Sequence, residues 1–194
     1  LLTLAIFLLF YFLFQRDFQF AYVASYTNVT LPTLYTISAL WAGQEGSLLF
    51  WGWSLSLCSA FFIRRYKSVT VNTPEVPYIY IVFSLILGFF LVLLTFKADP
   101  FQQLSFIPID GNGMNPLLQN LYMAIHPPVL FIGYAGFIVP FALAFAVLCT
   151  GKMGPEWAKY VRQWTLFSWY FLGIGIILGA RWAYLELGWG GYWG

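Results

Sequence analysis

Residues 121–150 read LYMAIHPPVLFIGYAGFIVPFALAFAVLCT, and they hold neither acid nor cation apart from the imidazole of His126. An uncharged stretch needs only about 20 residues to cross roughly 30 Å of hydrocarbon as an α-helix rising about 1.5 Å per residue. Working outward from it, comparable apolar runs occupy 40–63, 77–96 and 165–187. The run 1–14, interrupted only by Thr3 and Tyr11, is too short to cross alone and reads as the exit half of a helix that starts upstream. It lacks a basic flank and a small-residue cleavage site, so it does not read as a signal peptide. Strands of a membrane barrel would alternate apolar and polar positions over about 10 residues, and these runs do not. The expected fold is therefore all-α, a polytopic transmembrane helical bundle with exoplasmic loops. It forms one region over 1–194, expected to continue past both ends of the chain.

Composition agrees. Of 194 residues, 61% are hydrophobic, 22% aromatic and only 8% charged, against roughly 25% charged in a soluble domain. So few charges cannot solvate a water-soluble enzyme. The net charge of +2 and the pair of cysteines also exclude a nucleic-acid binder and a disulfide-stapled module.

Orientation follows from the short loops. Arg64, Arg65 and Lys67 lie in one, and Lys152, Lys159 and Arg162 in another; in an alternating path both face the same side and hold six of the nine basic residues. The positive-inside rule puts that side in the cytoplasm. Segments 15–32, 97–120 and 189–194 are then exoplasmic. Cys58 and Cys149 fall near cytoplasmic helix ends, form no CxxC pair, and read as small buried apolar residues.

Chemistry gathers on the exoplasmic face. His126 is the sole histidine, and an ionisable group at membrane depth is a functional candidate by default. Pro127 and Pro128 remove two backbone donors and predict a helix start or kink at the histidine. The run RWAYLELGWGGYWG, 181–194, sets Trp182, Trp189, Tyr192 and Trp193 among Gly188, Gly190, Gly191 and Gly194. An aromatic belt needs no such glycines; a platform meeting a flat ligand does. An imidazole beside that platform suits a metalloporphyrin, with an axial ligand and an apolar wall. Gly175 and Gly179 form a GxxxG pair expected to pack helices closely. Glu45, in LWAGQEGSLLFWGW, and the pair Arg181 and Glu186 leave a second reading open, a solute path through a transporter. A third is a structural subunit whose aromatics only pack.

LWAGQEGSLLFW, NPLLQ with AIHPPVLFIGYAGF, and WAYLELGWGGYWG, in this order, resemble the haem-handling membrane proteins of cytochrome c maturation that carry a tryptophan-rich "WWD" motif. The similarity is nearest to their haem lyase subunits, the CcmF type, with related haem-export or haem-presenting subunits as the alternative. The resemblance covers the whole chain as an N-terminal part of a longer protein, with WGGYWG as the opening of the motif; Gln44 departs from the histidine of many members. It implies haem b (iron protoporphyrin IX) held by His126 as metal ligand, with Trp182, Trp189, Gly190, Gly191, Tyr192 and Trp193 around the ring. It also implies a haem carrier, other maturation subunits and an apocytochrome c with CxxCH as partners. The place implied is the bacterial inner membrane, with the haem site facing the periplasm, in a complex that forms thioether bonds.

Overall fold

The computed structural model describes residues 1–66, 73–152 and 156–189. Among these the chain is helical, and its sole extended pairing is an isolated antiparallel bridge between Phe20 and Gln103. The helices are α1 (Leu2–Gln15), α2 (Ala21–Tyr26), α3 (Thr33–Ser38), α4 (Gln44–Arg65), α5 (Val76–Phe96), α6 (Leu121–Gly136), α7 (Ile138–Thr150) and α8 (Trp157–Trp182). Short 3-10 turns occupy Ala39–Trp41 and Pro116–Leu118, and a π-wound turn, Ala183–Leu187, extends α8. Four stretches among the described residues are long and apolar enough to cross a membrane: Gln44–Arg65, Val76–Phe96, Leu121–Thr150 and Trp157–Leu187. Several hydroxyls inside them, though not that of buried Ser168, bond back to their own helix, as Ser54 does to the Phe50 carbonyl (2.9 Å) and Ser59 to that of Leu55 (2.8 Å). That keeps their donors satisfied where no water reaches.

The boundaries differ from the apolar runs for local reasons. The run 40–63 does not start a helix at Leu40, because Ala39–Trp41 winds as a 3-10 turn and Gly43 is extended (φ −120°, ψ 172°) before α4 begins. The helix expected over 165–187 starts eight residues earlier, at Trp157. Its first turns carry Lys159 and Arg162, which lower an apolar score without opposing helix; Lys159 pairs with Glu156 at 2.9 Å. Pro127 and Pro128 do not break the chain at His126 as expected: both lie inside α6. The interruption comes at Phe137, whose N–H bonds three residues back, to Tyr134 (3.3 Å). Pro140 explains it. Its missing N–H and its ring fall on the Gly136 carbonyl, four residues back, where α6 ends.

Helices α6 and α8 pack along most of their length through small residues. A Cβ on Gly133 would lie 2.6 Å from the Leu172 nitrogen, and one on Gly175 would lie 2.9 Å from the Leu130 backbone. Gly136 sits directly on Ser168. Apolar burial falls into two clusters. One, around Leu9, Leu13, Val23, Leu40 and Leu49, joins α1 and the short helices to the start of α4. The other, around Phe62, Val139, Ala142 and Trp164, joins α4, α5, α7 and α8.

One end of the bundle wears a cap made of 16–43 and 97–120 hydrogen-bonded to each other. The Ala21 N–H donates to Gln102 (2.9 Å), Leu104 to Gln19 (2.8 Å), Asn112 to Ala24 (2.7 Å) and Gly113 to Thr27 (3.1 Å). Asp110 accepts from the Val29 N–H at 3.0 Å. Arg16, in the left-handed region (φ 54°), ends α1 and turns its guanidinium onto the carbonyls of Asn28 (2.7 Å) and Leu31 (3.0 Å). Beneath them the Tyr22 hydroxyl donates to the Ala39 carbonyl (2.8 Å) and accepts from the Gly43 N–H (3.1 Å). Burial pushes this phenol well above its ordinary value, so it keeps its proton and its donor role.

Candidate functional site

His126 is the sixth residue of α6, at the cap end of the bundle. Its ring lies against Gly179 of α8: a Cβ there would come within 2.9 Å of Nδ1. The GxxxG pair therefore does two jobs, Gly175 admitting the α6 backbone and Gly179 admitting the imidazole. Nδ1 is buried and has no hydrogen-bond partner among the described residues; the Gly175 carbonyl faces the ring without completing hydrogen-bond geometry. A nitrogen closed off in this way is not available to an incoming ligand. Trp182 stacks on the imidazole, centroids 6.0 Å apart and planes 14° from parallel. That is ordinary range for offset aromatic contact. The indole N–H donates to the Leu117 carbonyl at 2.9 Å, which anchors the Trp182 side of the stack.

A second link runs beside the first. The Nδ2 of Asn120 donates to Oε1 of Glu186 at 2.6 Å, while its Oδ1 accepts from the Tyr122 N–H at 2.8 Å as the cap of α6. Glu186 lies in the π-wound turn. Its hydrogen-bond partner Asn120 is thus 66 residues away, and Arg181 instead sits over the Tyr184 ring, 5.7 Å from its centroid. Glu45 lies in the first turn of α4, where a helix favours negative charge, close enough to the Tyr22 and Tyr26 phenols to act on them electrostatically.

Past the π turn, Gly188 takes a left-handed conformation (φ 63°) and Trp189 is exposed, its N–H returning to the Ala183 carbonyl (3.2 Å). Gly190, Gly191, Tyr192 and Trp193 lie outside the described residues. Among the described residues no cluster of three His, Cys, Asp or Glu side chains could hold a metal by itself. Both cysteines are free thiols and neither is buried as expected: Cys58 is half-buried, and Cys149, near the end of α7 remote from the cap, is exposed. The structure thus joins His126 to Trp182 directly, and adds Leu117, Asn120 and Gly179, which the sequence reading did not assign to the site.

Residues 41–194 match the family described as cytochrome C assembly protein. The chain belongs to that family. It is 42% identical over 193 residues to the cytochrome c-type biogenesis protein CcmF of Haemophilus influenzae, covering 99% of this chain and 30% of that protein. Against the CcmF of Pseudomonas aeruginosa it is 44% identical, covering 92% of this chain and 27% of the relative. The biogenesis protein NrfE of Haemophilus influenzae is also 42% identical, over 98% of this chain and 30% of its own length. Among solved structures, a cytochrome c haem lyase CcmF superposes on all of this chain and 30% of its own length, with a TM-score of 0.80 at 30% identity. The chain thus spans less than a third of the length of these relatives. The match and the apolar helices make it part of an integral membrane protein. The family match includes α4 through α8, and so every residue gathered around His126.

Proposed function

We propose that this chain is the haem-presenting part of a haem lyase subunit, holding haem b at the periplasmic face of the bacterial inner membrane for attachment to an apocytochrome c. One observation carries the reading: a lone imidazole whose Nδ1 is sealed by Gly179 and whose ring is backed by Trp182, so that Nε2 is the atom left to bind iron. The residues fit that cargo. A fixed histidine would supply one ligand to the iron, and Trp182 stacked on it and the exposed Trp189 after the turn at Gly188 would offer apolar faces to the ring.

The work of these residues is positioning. The stack on Trp182 and the contact with Gly179 restrict rotation of the ring. The reacting sulfurs come from the CxxCH of the apocytochrome. Each thiol adds across a haem vinyl group, a C–S bond forming while the thiol proton ends on the other vinyl carbon. Cys149, remote from His126, is not placed to compete. A haem carrier and further maturation subunits complete the assembly. The cations Arg64, Arg65, Lys152, Lys159 and Arg162, at the helix ends away from the cap, support a periplasmic cap.

The test uses the full-length protein in membranes. His126→Ala is expected to remove the Soret band of the site and the yield of holocytochrome c, with added imidazole restoring part of both. Undiminished haem and undiminished maturation would defeat the reading. Loss of solute uptake on Glu45→Gln, with His126→Ala silent, would favour a transporter instead.

A further inference from the structure

Two hydrogen bonds tie the end of α8 to the residues just before α6, and they bracket the histidine–tryptophan stack. Trp182 donates to Leu117, in the 3-10 turn Pro116–Leu118. Glu186, four residues further on, accepts from Asn120, the cap residue of α6. At 2.6 Å the second is a short hydrogen bond. Both ends of the asparagine amide are engaged, its oxygen holding the first turn of α6 and its nitrogen holding the carboxylate. The carboxylate is carried by the π-wound turn Ala183–Leu187, a winding often found at functional sites. Without an anchor, that turn and the Gly188–Trp189 exit could rotate about the last turn of α8 independently of His126.

We propose that Asn120 and Glu186 are positioning residues of the haem site, their hydrogen bond fixing the π-wound turn and the Trp189 exit in one orientation relative to the His126 imidazole. The inference rests on the proposed function above. It predicts that the latch matters through its geometry, and either direction of the hydrogen bond would serve.

A swap separates this role from folding, using the full-length, haem-loaded protein. Asn120→Asp keeps an oxygen that caps α6 but removes the donor and sets two carboxylates face to face. It is expected to weaken haem retention on the order of tenfold and to broaden or shift the ferric electron paramagnetic resonance signal. The double variant Asn120→Asp with Glu186→Gln restores the bond with donor and acceptor exchanged, and is expected to recover both signals. Should Asn120→Asp fail to accumulate in membranes, Glu186→Ala, which leaves the α6 cap intact, is expected to show the same loss. Wild-type retention and resonance in whichever of these single variants accumulates, or loss without recovery in the double variant, would overturn the proposal. If those variants behave as wild type while His126→Ala loses haem, only the latch fails. If His126→Ala is also silent, the haem reading itself fails.

Discussion

Gly179 stands where one added methyl group would reach the histidine, 2.9 Å from Nδ1. Gly179→Ala is expected to leave the bundle folded, because a side chain can yield, while moving the imidazole and shifting the Soret maximum of the loaded full-length protein. Gly175→Ala meets the Leu130 backbone at the same distance, and backbone cannot yield as easily. It is expected to push α6 and α8 apart and lower stability by about 1–3 kcal/mol, measured by thermal unfolding in detergent. Tyr22 gives a third test. Its hydroxyl serves the Ala39 carbonyl and the Gly43 N–H, so Tyr22→Phe is expected to destabilise the cap by about 1–3 kcal/mol. The folded phenol holds its proton above the ordinary value. Its contribution is therefore complete below about pH 10 and falls as pH rises past that, while the unfolded chain ionises first. An alkaline loss of cap stability that is absent in Tyr22→Phe would verify the sign.

At the scale of elements, the apolar runs revealed the spanning helices but marked hydrocarbon rather than helix. That is why Trp157–Gln163, with its cations, was invisible as the start of α8, and why Leu40 looked like part of α4. The double proline misled for a related reason. Within apolar surroundings the helix is the conformation that satisfies most backbone groups, so α6 runs through Pro127 and Pro128. The interruption at Phe137 did have a sequence signal, Pro140, in a run whose length suggested a single helix. His126 stood out in the sequence because an ionisable group is unusual at membrane depth, and the glycine pair because its spacing suits close helix packing; their contact with one another and with Trp182 needed the fold. The link from Asn120 to Glu186 was not, since nothing local pairs residues 66 apart. Arg16 offers a prediction at this scale. Arg16→Gly suits the positive φ (54°) but deletes both guanidinium bonds; it is expected to loosen 28–31 against α1, seen as faster proteolysis of the cap. Unchanged cleavage would mean that those bonds contribute little.

Over the whole molecule, the cap and the cations Arg64, Arg65, Lys159 and Arg162 lie at opposite ends of the helices, so their sidedness can be read directly. Ile109, fully exposed in the cap, changed to Cys is expected to react with a membrane-impermeant maleimide added to the periplasmic side. Exposed Cys149 at the other end is expected to react only after permeabilisation. The reverse pattern would invert the topology and remove the periplasmic site. The cap also governs how the bundle can move. The segments 16–43 and 97–120 are stitched to each other across more than 80 positions of sequence by backbone bonds, and they join α1, α4, α5 and α6 at that one end. Helices fastened in this manner behave like tongs held at the pivot: any spreading grows with distance from the fastening, and the vicinity of His126, close to the pivot, moves least.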